Sequence, residues 1–157
     1  NKCVKRSLLE EEYILFPEGG YAEDIDWVIQ LFSRAKYISF LNGLAYAYRQ
    51  HGNSTASRST EGPNHLAAII QKWAEKVKQN EVPDPEVVAG LLAFEYGICM
   101  GHQQYLSREM KIILKEYQYL LHYAMDKKTK VIRLFHRIFG YWFTCNMIRF
   151  YLFCRRI

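Results

Sequence analysis

No two cysteines in this chain stand in a C-x-x-C pair, and no cysteine and histidine share a spacing that suits zinc. The four cysteines (Cys3, Cys99, Cys145 and Cys154) are scattered through apolar or helical surroundings. That excludes a disulfide-stapled scaffold and points to reduced thiols in a cytoplasmic protein. The N-terminus carries charge but no apolar h-region, so no signal peptide is read. There is no initiating Met before Asn1, which reads as a piece cut from a longer protein. No internal repeat and no low-complexity segment is present. The last 31 residues contain no acid at all.

What is present is apolar and aromatic. Half of the 157 residues are hydrophobic and 15% are aromatic, with 12 Tyr and 9 Phe. This composition excludes a disordered chain, and the length suits one domain with a core. The net charge of +5 hides an asymmetry. Residues 1–126 carry 13 Lys/Arg against 16 Asp/Glu, whereas residues 127–157 carry eight basic residues. A basic tail on an acidic body points to an anionic membrane or nucleic acid.

The chain is organised around residues 16–27, where Pro17, Gly19 and Gly20 precede the acids Glu23, Asp24 and Asp26. Trp27, Val28, Leu31, Phe32 and Ala35 then recur at helical spacing, which predicts a helix of roughly three turns. The acids stand at its N-terminus, where free N–H groups and the macrodipole favour negative charge. Upstream, Ser7 is expected to cap a short turn through Leu8 and Leu9. Tyr13–Phe16 reads as a brief strand or an anchor into the core. Downstream, Asn42-Gly43 between two β-prone runs predicts a hairpin over about 37–49, because a type I′ turn needs positive φ at both central residues. A polar, hydroxyl-rich loop follows to Thr60.

From Pro63 onward the periodicity is helical. Pro63 suits a first helical position, with Leu66, Ile69, Ile70, Trp73 and Val77 as its stripe. Asp84-Pro85 is a cap followed by an N1 proline. The helix it opens carries Gly97 and Gly101 four residues apart, which lets another helix come close. Ser107 caps a helix that carries Met110, Ile113, Leu114, Tyr117, Leu120 and Leu121. Beyond Lys127 the chain turns basic, and Ile138–Cys154 is apolar nearly all round. The fold class expected is mainly α with one short β-hairpin. Its three segments are residues 1–60, a helical subdomain over 61–126, and a basic aromatic helix over 127–157.

An acidic helix start, an Asn-Gly hairpin ending in Tyr46-Ala47-Tyr48-Arg49, and His51 followed by Ser54 form an ordered series. Together with Lys5-Arg6-Ser7-Leu8-Leu9, Phe16-Pro17-Glu18-Gly19 and Glu23-Asp24, it resembles the second half of the catalytic domain of family 2 glycosyltransferases. These are inverting nucleotide-sugar enzymes of the α/β GT-A fold. The resemblance spans about residues 1–60 and implies that Asp24 is the general base, taking the acceptor hydroxyl proton as oxygen attacks the anomeric carbon. It implies that Glu23 orients the acceptor or the helix start. Arg49, Ser54 and Thr55 would contact the leaving diphosphate. His51 would reach a divalent metal, Mn²⁺ or Mg²⁺, or the diphosphate. The implied partners are a nucleotide-sugar donor and a saccharide or lipid-linked acceptor, as in surface or capsular polysaccharide synthesis. The chain departs from the family in lacking the donor-binding half with its strand-ending Asp-x-Asp, so the fragment alone is expected to be inactive.

The rival reading is a helical binding module that docks on a membrane surface or a protein partner. Nucleic acid is disfavoured, because Ile138–Cys154 offers no polar face from which cations could meet phosphates. A bilayer span is disfavoured too. The segment falls short of the roughly 20 residues required, and Arg149 lies within it. In-plane attachment to the cytoplasmic face of a membrane is the expectation for the tail, with Tyr141, Trp142 and Tyr151 in the headgroup zone. The competing expectation is that this helix packs in the core.

Overall fold

A computed structural model of the chain describes residues 2–16, 21–43, 47 and 61–154. Among them there are helices and no strand. The α-helices are α1 (Arg6–Glu11), α2 (Glu23–Arg34), α3 (Gly62–Lys78), α4 (Pro85–Gly101), α5 (Arg108–Glu116) and α6 (Lys127–Cys154). Short 3-10 turns follow α4 (Gln103–Tyr105) and α5 (Gln118–Tyr123).

Local chemistry accounts for most of these ends. Pro63 sits in the first turn of α3, where its missing N–H costs nothing. Asp84 caps α4 by accepting from the Val87 N–H at 3.2 Å, and Ser107 caps α5 by accepting from the Met110 N–H at 3.1 Å. Asn80 takes positive φ just past α3, and the Glu81 N–H returns to the Lys76 carbonyl at 2.9 Å, a Schellman-type stop. Ser7 does not cap: α1 starts two residues earlier than expected, behind Lys5, and Ser7 lies inside it. Of Tyr13–Phe16 only Ile14 is buried, which makes the run an anchor and not a strand.

Helix α4 is the centre of the body. Its mean hydropathy is high, and ten of its residues are buried. Leu66, Ile70 and Trp73 of α3 pack against Val88, Leu92, Tyr96 and Cys99 of α4, joined by Leu114, Leu120 and Leu121. Ile29 of α2 and Cys145 of α6 belong to the same cluster, so one core draws on all three segments. Each fully buried Leu or Ile here contributes roughly 1.5–3 kcal/mol. The buried Tyr96 hydroxyl donates to the Leu114 carbonyl at 2.9 Å, which satisfies both groups.

Three expectations need correction. The first arm of the hairpin, residues 37–43, carries no strand, and Tyr37 and Phe40 are 94% and 93% exposed. Gly43 does not take positive φ; Gly140 is the one glycine that does among the described residues. A two-stranded hairpin is marginal without a sheet or helix to cover it, and no described residue buries this arm. Residues 44–46 and 48–49 of the second arm lie outside the described residues. No α/β portion of a GT-A fold is seen among the described residues.

Next, the helix from Ser107 does not run through Leu121 but stops at Tyr117, whose hydroxyl donates to the Glu75 carboxylate of α3. The tighter 3-10 turn that follows aims both Leu120 and Leu121 inward. Finally, the C-terminal helix begins at Lys127 and is broken at Gly140 (φ 76°, ψ 177°). A straight helix would carry Ile148 about 24 Å beyond Ile132. Yet Ile132 lies over Gly97, and Ile148 and Leu152 lie over Gly101, one helical turn away on α4. The two arms of α6 therefore fold against the same stretch of α4, through the glycines expected to permit it. The opposite side of α6 stays exposed, with Trp142, Phe150 and Phe153 prominent. No helix among the described residues is long and apolar enough to cross a membrane.

Candidate functional site

The acids at the start of α2 divide into two kinds. Glu23 and Asp24 are exposed in its first turn, ahead of which Ala22 holds a left-handed conformation (φ 63°). Alanine takes that conformation at a cost of roughly 1–2 kcal/mol. Asp26 faces the other way and is 2% exposed. Its Oδ1 accepts from Trp73 Nε1 at 2.6 Å and Lys72 Nζ at 2.9 Å, and its Oδ2 accepts from Gln30 Nε2 at 2.9 Å. A buried carboxylate with three donors, one of them charged, is satisfied. It pins the start of α2 onto α3.

Two ring contacts fix the same end. Phe16 stacks on Trp27 at 4.8 Å, and Tyr21 meets His65 of α3 edge-on at 5.3 Å. The exposed Asp24 thus stands on a helix start braced from behind by Asp26 and from the side by aromatic rings.

Across from α2, helix α4 contributes a group that the motif series did not include. The Oε2 atom of Glu95 is out of contact with solvent and has no hydrogen-bond partner among the described residues. Burial, and secondly the negative charge of Asp24, push its carboxyl up to about 7. Four residues on, burial and then Glu95 drive the Cys99 thiol well above its ordinary range, so it is an inert, protonated thiol. The sequence held one signal for Glu95: a lone acid inside the apolar run of α4.

Glu95 is half-buried, and the exposed Asp24 is near enough for its charge to be felt there. With its carboxyl pushed up to about 7, Glu95 exchanges a proton readily at neutral pH. Arg49, His51, Ser54 and Thr55 lie outside the described residues. Among the described residues no group of three or more His, Cys, Asp or Glu is placed to hold a metal ion.

Comparison of the chain with protein-family models, with curated proteins and with solved structures finds no match.

Proposed function

We propose that this chain is the acceptor-side part of a nucleotide-sugar-dependent, inverting glycosyltransferase, with Asp24 as its general base. The observation that supports this reading is the setting of Asp24. It is exposed on the first turn of α2, and that turn is held by the buried Asp26 network. A base must be reachable by the acceptor hydroxyl, and exposure on a turn whose backbone is anchored by Asp26 supports that role for Asp24. Glu23, beside it and also exposed, orients the acceptor. Glu95 is added as a proton reservoir behind the base. The donor-binding half, the diphosphate contacts of Arg49, Ser54 and Thr55, and any metal contact by His51 belong to this reading on resemblance alone.

The test is Asp24→Asn in the longer chain that includes a donor-binding half. Turnover falls by roughly 10²–10⁴-fold with donor affinity kept, the usual worth of a positioned base. Near-normal turnover would remove Asp24 from this role.

A second reading, a membrane-surface attachment module, has its own observation. Trp142, Phe150 and Phe153 are exposed on a helix whose other side is already packed, beside a segment rich in lysine and arginine. Exposed aromatics next to cations suit the headgroup zone of an anionic bilayer. The two readings are compatible if the acceptor is lipid-linked. Co-sedimentation with phosphatidylglycerol vesicles tests it: Trp142→Gln with Phe150→Gln lowers the bound fraction while the melting curve stays in place.

A further inference from the structure

Where the two arms of α6 fold against α4 they leave a groove of about 550 Å³. Phe94 and Ile98 of α4 form its floor, Val131 and Phe135 one wall, and Met147 and Leu152 the other. Lys127 and Lys128, in the first turn of α6, line the same groove. Eight residues of helix separate Lys127 from Phe135, so the wall is about 12 Å long with both cations at one end.

The polar groups along this groove are mostly engaged elsewhere. Thr144 Oγ1 donates to the Gly140 carbonyl at 2.7 Å, and His102 Nδ1 lies 3.0 Å from the Ile98 carbonyl. Thr129 is buried and its N–H is held by Asp126, the cap of α6. The two lysine ammonium groups have no carboxylate partner among the described residues. The nearest acid in sequence, Asp126, already accepts from the Lys128 and Thr129 N–H groups at 2.9 and 3.0 Å.

We propose that this groove binds a single hydrocarbon chain with an anionic head, the chain among Ile98, Val131 and Met147 and the head at Lys127 and Lys128. Size argues against a helical partner: two turns of α-helix fill roughly 1,000 Å³, about twice the space here. A slot of this volume with a mostly apolar lining is typical of small-ligand sites. Trp142, Phe150 and Phe153 do not line it, so the groove is a separate feature from the exposed aromatic side of α6. The assignment does not depend on glycosyl transfer.

Titration of the intact chain with dodecyl phosphate, below its micelle concentration, tests the proposal by calorimetry and by methyl NMR. One equivalent binds, and the methyl groups of Ile98, Val131 and Met147 shift. Val131→Glu, at a position already half exposed, weakens binding by at least about tenfold by placing a charge in the slot. Lys127→Gln with Lys128→Gln weakens dodecyl phosphate but leaves the uncharged dodecyl maltoside unchanged. Inorganic phosphate alone gives no heat. Three results overturn the proposal: equal binding by Val131→Glu, inorganic phosphate bound as tightly as the alkyl phosphate, or binding seen only with intact vesicles. Should Val131→Glu fail to fold, methyl shifts confined to residues outside the groove would overturn it equally.

Discussion

The indole N–H of Trp73 meets the carboxylate of Asp26 at 2.6 Å, inside the contact between α2 and α3. An acid that the spacing of the chain presents as one of three surface charges is thereby a structural tie. Trp73→Phe keeps the ring and deletes the donor, leaving Lys72 and Gln30 to hold the carboxylate. We expect a loss of roughly 1–3 kcal/mol, read as a lower urea midpoint with the slope unchanged. An unchanged midpoint would mean that the bond contributes nothing.

Glu95 gives stability a pH dependence of definite sign. In the unfolded chain its carboxyl loses its proton near the ordinary glutamate range, whereas in the fold it keeps it to about 7. The folded state binds more protons in between, so this contribution is fully present below the unfolded value and is lost as pH rises through about 7. The slope is at most about 1.4 kcal/mol per pH unit. Melting temperatures across pH 5–8 should fall with rising pH, and Glu95→Gln should flatten that fall. A parallel fall in both proteins would assign the effect to other groups.

Gly101 admits the second arm of α6. A Cβ there would lie 2.8 Å from both Ile148 Cγ2 and Leu152 Cδ1. Gly101→Val should cost about 1–3 kcal/mol by overpacking and should expose Cys145, which sits on that arm and is 2% exposed. Faster labelling of Cys145 by a thiol reagent, with Cys3 and Cys154 replaced by Ser, is the readout.

At Gly43 the expectation runs the other way. A type I′ turn would make Gly43→Val costly, but here φ is not positive and nothing lies within 4 Å of an added Cβ. The melting temperature should stay within a degree or so of the parent, as for an ordinary surface change. A drop of several degrees would argue for a hairpin after all.

What could be read from the chain follows from what is local. The proline and cap positions at Pro63, Asp84 and Ser107 act over three or four residues, so they announced α3, α4 and α5 directly. Gly97 and Gly101 also spoke plainly, because a pair of small residues on one helical face has few uses. The face of α2 did not. Of the expected stripe Leu31 is buried, but Trp27, Val28 and Phe32 are not, and the core took Asp26, Ile29 and Ser33 beside it, since Lys72 and Trp73 arrive from 46 and 47 residues away to satisfy the acid. The hairpin signal was local too, yet a hairpin needs a surface to lie on, which is a tertiary matter. Of the site, Glu23 and Asp24 were legible as charges at a helix start. Glu95 was not, because its meaning comes from burial opposite Asp24 and not from any neighbour in sequence.

Gly140 bears on the number of chains that share one fold. Its backbone sits where only glycine rests without strain, although an added Cβ would meet open space. An alanine there would favour continuing the helix straight through, which lifts the second arm off its own α4. The vacated surface over Gly101 would then be open to the same arm of another molecule, an exchange in which Ile148 and Leu152 meet Gly101 between chains instead of within one. A single methyl group at the bend would in this way turn an intramolecular fold into a swapped dimer, populated according to protein concentration.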